Sequence, residues 1–212
     1  MPVPATVRPR RRRACLVAAA LAAVVLVAGA ASWFWWTDRA LSTVEVVPRS
    51  MHCGAHDTPY VVVAPDAASG LPPFIGFDLT LRPDSFCQLE ISIVNTGKHA
   101  VHLDRATFRA LGSGRSGAAP LEITENGGPF TREGSSDGSS DDIGAAVFPI
   151  DDSLGAGEVR NELYDLRTRA SRFTGDRDLI MTLSDMPQIR ISHLGRSRTV
   201  DGSVGLRIRQ ER

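Results

Sequence analysis

From residue 59 onward, apolar and polar side chains take turns along the chain. Ile75, Phe77, Leu79 and Leu81 alternate with Gly76, Asp78, Thr80 and Arg82. Cys87, Leu89, Ile91 and Ile93 alternate with Gln88, Glu90, Ser92 and Val94. The same period of two returns in Leu179, Met181 and Leu183, in Ile189 and Ile191, and in Val204, Leu206 and Ile208. A period of two gives a strand one buried face and one wet face. Turn-forming groups punctuate these runs: Arg82-Pro83-Asp84, Asn95-Thr96-Gly97, Met186-Pro187 and Asp201-Gly202. Short alternating strands separated in this way predict a mainly β fold, an antiparallel β-sandwich over residues 59–212. Between His99 and Leu111 the phase slips, because Val101 and Leu103 share one face and Ala106 and Phe108 the other. A β-bulge accounts for such a slip.

Two segments depart from the pattern. Val159, Leu163, Leu166, Ala170 and Phe173 are spaced 4, 3, 4 and 3, a helical stripe that Gly175 would end. The turn-like Leu154-Gly155-Ala156-Gly157-Glu158 just before it argues for a strand. Periodicity leans towards a single helix at 159–173, with strand as the alternative. Residues 112–142 are rich in Gly, Ser and Asp and poor in apolar side chains, which predicts a long mobile loop inside the domain.

The N-terminal third has a different character. Ala14 to Trp36 contains no charged residue. As a helix these positions extend roughly 34 Å, enough to cross a hydrocarbon core about 30 Å thick. Arg10, Arg11, Arg12 and Arg13 precede the run, and Trp33, Trp35 and Trp36 close it. Basic residues at the inner side and aromatic residues at the interface are the marks of a signal anchor. The expected organisation is a cytoplasmic basic tail (1–13), a transmembrane helix (14–36), a juxtamembrane linker (37–58) and an extracytoplasmic domain. Within the linker, Val44, Val46 and Val47 could pair as an early strand. Ala28-Gly29-Ala30 also fits the small-x-small cleavage pattern of a signal peptide, which is the competing reading. Cys15 lies ahead of the apolar run, where a lipoprotein cysteine would not.

Charge adds one exclusion. The formal net charge is zero, but Arg8 and Arg10 to Arg13 supply five of the positive charges, and every acidic residue comes after position 37. The remainder carries 19 basic against 24 acidic side chains. A domain reading duplex nucleic acid has the opposite balance. The expected partners are the lipid bilayer and another envelope protein or surface ligand. Lys98 is the single lysine against 23 arginines, a bias typical of GC-rich bacterial genomes.

Candidate chemistry centres on Ser50-Met51-His52-Cys53-Gly54-Ala55-His56-Asp57. Cys53 and Cys87 are the two cysteines beyond the apolar run. Outside the cell thiols oxidise, and the simplest reading is that these two pair. A metal reading instead draws on His52, His56, His99 and His102, with Cys53, Met51 or His193 as further ligands. On a strand, His99 and His102 would point to opposite faces, which weighs against it. An enzyme reading rests on carboxylates that are neighbours in sequence, Asp151 with Asp152 and Asp176 with Asp178. Glu133, Asp137, Asp141 and Asp142 lack the ligand register of a calcium loop. Gly112 to Gly117 spells GxGxxG without a following helix, and Gly134 to Gly138 spells GxSxG inside low-complexity sequence. No cofactor and no catalytic residue follows from these matches.

Gln88 to Gly97, ending in Asn95-Thr96-Gly97 and followed by Val101-His102-Leu103, resembles the central hairpin of bacterial immunoglobulin-like extracytoplasmic domains. The later Leu154-x-x-Gly157-Glu158 turn is also similar to theirs. The resemblance implies an immunoglobulin-like sandwich used for adhesion, ligand holding or complex assembly, and it implies no catalytic activity.

Overall fold

The computed structural model describes residues 9–54, 56–63, 73–82, 85–111, 120–125, 144–168 and 180–210. It divides into two compact units, Met1–Arg39 and Ala40–Arg212. Most of the Gly/Ser/Asp-rich stretch 112–142 lies outside the described residues, as do the GxGxxG and GxSxG matches, the acidic set Glu133 to Asp142, and Asp176 with Asp178.

The first unit consists of helix α1, Pro9–Leu41, whose last two residues belong to the second unit. Within it, Val17–Leu41 is long and apolar enough to cross a membrane, by length and composition. None of its apolar window is buried within the protein. Polar side chains on the helix are satisfied locally. Ser32 Oγ donates to the Ala28 carbonyl at 2.8 Å, and Thr37 Oγ1 to that of Trp33 at 2.9 Å. Hydroxyls that bond back along their own helix tolerate apolar surroundings. Trp33 and Phe34 meet edge to face at 5.0 Å, and the Arg39 guanidinium lies 5.4 Å from the Trp35 ring.

The second unit is a β-sandwich of eleven described strands: β1 Val44–Cys53, β2 His56–Asp57, β3 Tyr60–Val63, β4 Phe74–Leu81, β5 Phe86–Asn95, β6 Val101–Phe108, β7 Leu121–Glu125, β8 Ala146–Leu154, β9 Val159–Thr168, β10 Ile180–His193 and β11 Arg196–Gln210. One sheet has the order β2-β1-β5-β9-β7 and the other β3-β4-β11-β10-β6-β8. Every pairing is antiparallel except β4 with β11, which run parallel and make the second sheet mixed. The alternation read from the sequence maps onto the core except at Ile75, which is exposed while Phe74 is buried at the start of β4. Cys87, Leu89, Ile91 and Ile93 are buried on one sheet, and Phe77, Leu79, Leu206, Ile208, Ile189 and Ile191 on the other. An aromatic cluster of Phe108, Phe148 and Tyr164 fills the space between them, with centroids 4.6 to 5.9 Å apart.

The lean towards helix over 159–173 is overturned for the part described. Val159–Thr168 is strand β9, which pairs with β5 over nine residues. The inward face of β9 carries Arg160, Glu162, Tyr164 and Leu166, opposite Ile93, Ile91, Leu89 and Cys87. Two charged side chains on the inward face disguise its alternation. Meanwhile Val159, the first residue of the helical stripe, is exposed. Arg160 bonds Glu162 beside it and the exposed Asp152 of β8, so its charge is neutralised.

The segment expected as a linker, 37–58, is mostly structure. Only Ser42 and Thr43 separate α1 from β1, and Val44, Val46 and Met51 of β1 are buried in the core. The hairpin joining β10 to β11 is not where Pro and Gly signal it. Met186-Pro187 and Asp201-Gly202 face each other inside the β10–β11 ladder at its register shifts. A Cβ on Gly202 would overlap the Met186 carbonyl, so only glycine fits that crossing. The turn itself is Leu194-Gly195.

Asn95 ties one end of the sandwich together. Its side chain is fully buried. Nδ2 donates towards the carbonyls of His99 (2.8 Å), Leu154 (3.2 Å) and Gly155 (2.9 Å). Oδ1 accepts from Gly97 N at 3.0 Å and from Thr43 Oγ1 at 3.3 Å. The start of β1, the β5–β6 turn and the β8–β9 turn thus share one amide.

Candidate functional site

The sequence-derived residues fall in separate places. Cys53 and Cys87 are partners in the β1–β5 register and are joined by a disulfide with Cα atoms 4.0 Å apart. That bond removes the Cys53 sulfur from any ligand set, since a metal takes the thiolate. His52 bonds Asp57 through Nδ1 at 2.6 Å on the exposed surface. His56 faces Cys53 across the β1–β2 pair, and its side chain lies outside the described atoms. Among the described residues, no group of three or more His, Cys, Asp or Glu is placed to hold a metal ion. Asp151 and Asp152 diverge, the first towards His102 and the second towards Arg160.

The outer face of β10, β6 and β8 does gather polar groups. The β6 bulge falls between Leu103 and Arg105, where the phase slip was read. Asp104 is the extra residue, and a bulge re-aims the side chain it carries. Opposite it in β8, Asp151 holds a backbone φ of 47°, in the left-handed region that non-glycine residues seldom occupy. Both carboxylates turn to His102, whose Nε2 lies 3.2 Å from Asp151 and 3.7 Å from Asp104. Asp104 also accepts from Ser192 Oγ at 2.9 Å and faces Arg190 Nε at 3.6 Å. Arg190 donates in turn to Ser197 Oγ at 3.3 Å.

His102, Asp104, Arg190, Ser192 and Ser197 line an open depression of about 430 Å³, with His193, Leu194 and Ala100 also in its lining. His193 Nδ1 lies 2.9 Å from the Ala100 carbonyl, and its ring is 6.0 Å from that of His99. His99 and His102 therefore do not share a strand face: His99 sits in the turn before β6. Asp152, which is exposed, is held below the usual carboxylate range, first by its bond from the Ser153 amide and then by Arg160. The Arg160 guanidinium is pushed up, chiefly by Glu162.

Ser192 donates its hydroxyl proton to Asp104. What the surface offers is a set of fixed donors and acceptors of both signs, open to solvent. Asp104, Arg190 and Ser192 were not singled out from the sequence. The signal that marks them is the phase slip, because bulges concentrate where a strand presents side chains for use. No family model matches the chain, and no curated protein matches it in sequence.

Proposed function

We propose that the chain is a single-pass membrane protein whose β-sandwich stands outside the cytoplasmic membrane and serves as an interaction or accessory module. The observation that carries this reading is the apolar helix Val17–Leu41, none of whose apolar window is covered by the rest of the protein. The uncovered run Val17–Trp36, about 30 Å as a helix, needs lipid around it. Arg10 to Arg13 at its start hold the N-terminus in the cytoplasm under the positive-inside rule. The Cys53–Cys87 bond fits an oxidising compartment. The Asn95-Thr96-Gly97 and Leu154-to-Glu158 turns, which carry the resemblance to bacterial immunoglobulin-like domains, meet at the Asn95 amide. The open polar depression around His102, Asp104 and Arg190 is suited to holding a polar segment of another envelope protein.

Two experiments test the reading. Alkaline carbonate extraction should leave the chain in the membrane pellet, and externally added protease should digest the sandwich in spheroplasts; release into the supernatant, or a protected sandwich, would refute it. Affinity purification from native membranes should recover a partner that the double variant His102→Ala/Arg190→Ala loses at least tenfold. Equal recovery by that variant would remove the depression from the account.

A further inference from the structure

The tip of the β10–β11 hairpin is built against the usual rule. His193 pairs with Arg196, so the loop has two residues, Leu194 and Gly195. Their φ angles are 48° and 80°. A two-residue loop with positive φ at both positions strongly favours Asn, Asp or Gly at the first of them. Leucine there holds a strained backbone. Burial does not offset the strain, since Leu194 remains 66% exposed. Neither turn chemistry nor core packing accounts for an apolar side chain at this position. Leu194 does line the open depression described above, whose walls come mainly from this hairpin and from β6.

The charges in that lining are uneven. Arg190 and Arg196 belong to it, and Asp104 is the one carboxylate among its lining residues. Asp104 is already engaged: it accepts from Ser192 Oγ and faces both Arg190 and His102. Asp151 stands beside His102 but outside the lining, with its side chain 89% exposed. A carboxylate that enters the depression therefore meets two guanidiniums, whose planar forks match it in geometry as well as in sign. The space limits what can enter. Pockets of roughly 300–1,000 Å³ take a drug-sized group. A depression of about 430 Å³ thus admits a few side chains of a segment and excludes a folded surface.

We propose that the depression seats a short acidic segment of a partner protein, with a carboxylate on Arg190 and Arg196 and a neighbouring apolar side chain packed on Leu194. The proposal rests on the interaction-module reading and adds the chemistry of the partner. It accounts for the leucine at the tip, because a bound segment covers apolar area that the free sandwich leaves in water. It also places the charged contact where the lining carries more cations than anions.

The test uses the full chain in its native membranes, with the photo-crosslinking residue benzoylphenylalanine in place of Leu194 or, as the reference, of exposed Thr182 near the other end of β10. Irradiation should join position 194, and not position 182, to one other protein, at a segment that carries Asp or Glu beside the crosslinked residue. A crosslink to lipid, to a second copy of the chain or to a segment without acidic residues would overturn the proposal. Affinity purification that recovers a partner, with no crosslink from position 194, would also overturn it and leave the module reading standing. Recovery of no partner at all would overturn the module reading itself. Two variants separate binding from turn stability. Leu194→Asn supplies a residue the turn prefers, so it should match or raise the thermal midpoint while lowering partner recovery at least fivefold. Asp151→Asn suits the same left-handed backbone and removes a negative charge beside the seat, so it should raise recovery at least twofold. A lowered midpoint or unchanged recovery with Leu194→Asn would make Leu194 a structural residue and defeat the proposal. A fall in recovery with Asp151→Asn at an unchanged midpoint would show that the partner segment is not acidic.

Discussion

Asn95 is where a single side chain controls most. Its two amide hydrogens are shared among three buried or half-buried carbonyls, and its oxygen receives a backbone N–H and a hydroxyl. Asn95→Ala removes all of these while leaving the carbonyls in place, which costs about 2 to 4 kcal/mol. Urea denaturation should show a matching fall in midpoint with an unchanged slope. Asn95→Asp keeps the acceptor and loses the donors, so it should rescue little. Asp152 makes a pH-dependent contribution. Its folded pKa lies below the ordinary aspartate value of 3.8, through the Ser153 amide and Arg160. The stabilisation is therefore complete above about pH 5 and is lost as pH falls through 3.8 and below. Asp152→Asn should flatten the acid limb of a stability–pH curve and leave the neutral region little changed, because the carboxylate is exposed. Sequence showed Asn95 as a turn residue of an Asn-Thr-Gly motif. It could not show the shared amide, since Thr43 and Gly155 reach that site only through the tertiary fold.

At the scale of elements, alternation made most of β4, β5 and the ends of β10 and β11 legible, because their inward faces are apolar but for Asn95 at the end of β5. Strand β9 was hidden for the opposite reason. Arg160 and Glu162 occupy inward positions, and Val159 and Leu163 fall by accident at helical spacing. The β6 bulge was readable as a phase slip, but its consequence for Asp104 was not, because the facing Asp151 lies 47 residues away. Turn chemistry misled at Met186-Pro187 and Asp201-Gly202. Those residues mark a crossing within a hairpin, and the tip uses Leu194 instead. The disulfide joins two elements that are already paired, and its cysteines are 34 positions apart. In the chain-entropy account, opening a loop of that length costs about 4 kcal/mol. The double variant Cys53→Ala/Cys87→Ala should lose that much on chemical denaturation, and dithiothreitol should have the same effect on the native chain and none on the variant.

At the scale of the molecule, only Ser42 and Thr43 separate the last turn of α1 from β1, and Leu41 of that turn is already core. Inserting a flexible segment of about twelve Gly and Ser residues between Ser42 and Thr43 should therefore lower the thermal midpoint of the sandwich, read by circular dichroism, because it loosens Leu41 from the core it helps to fill. The order of strands carries a further consequence. The parallel partner of β4 is β11, which lies between β4 and β10 in the interior of its sheet and contributes Val204, Leu206 and Ile208 to the core. During synthesis, residues 74–81 must wait for residues 196–210 before their ladder can form. The sheet thus closes only after residues 196–210 have left the ribosome, so the strands made before them must wait with their edges unpaired until the last one slots in.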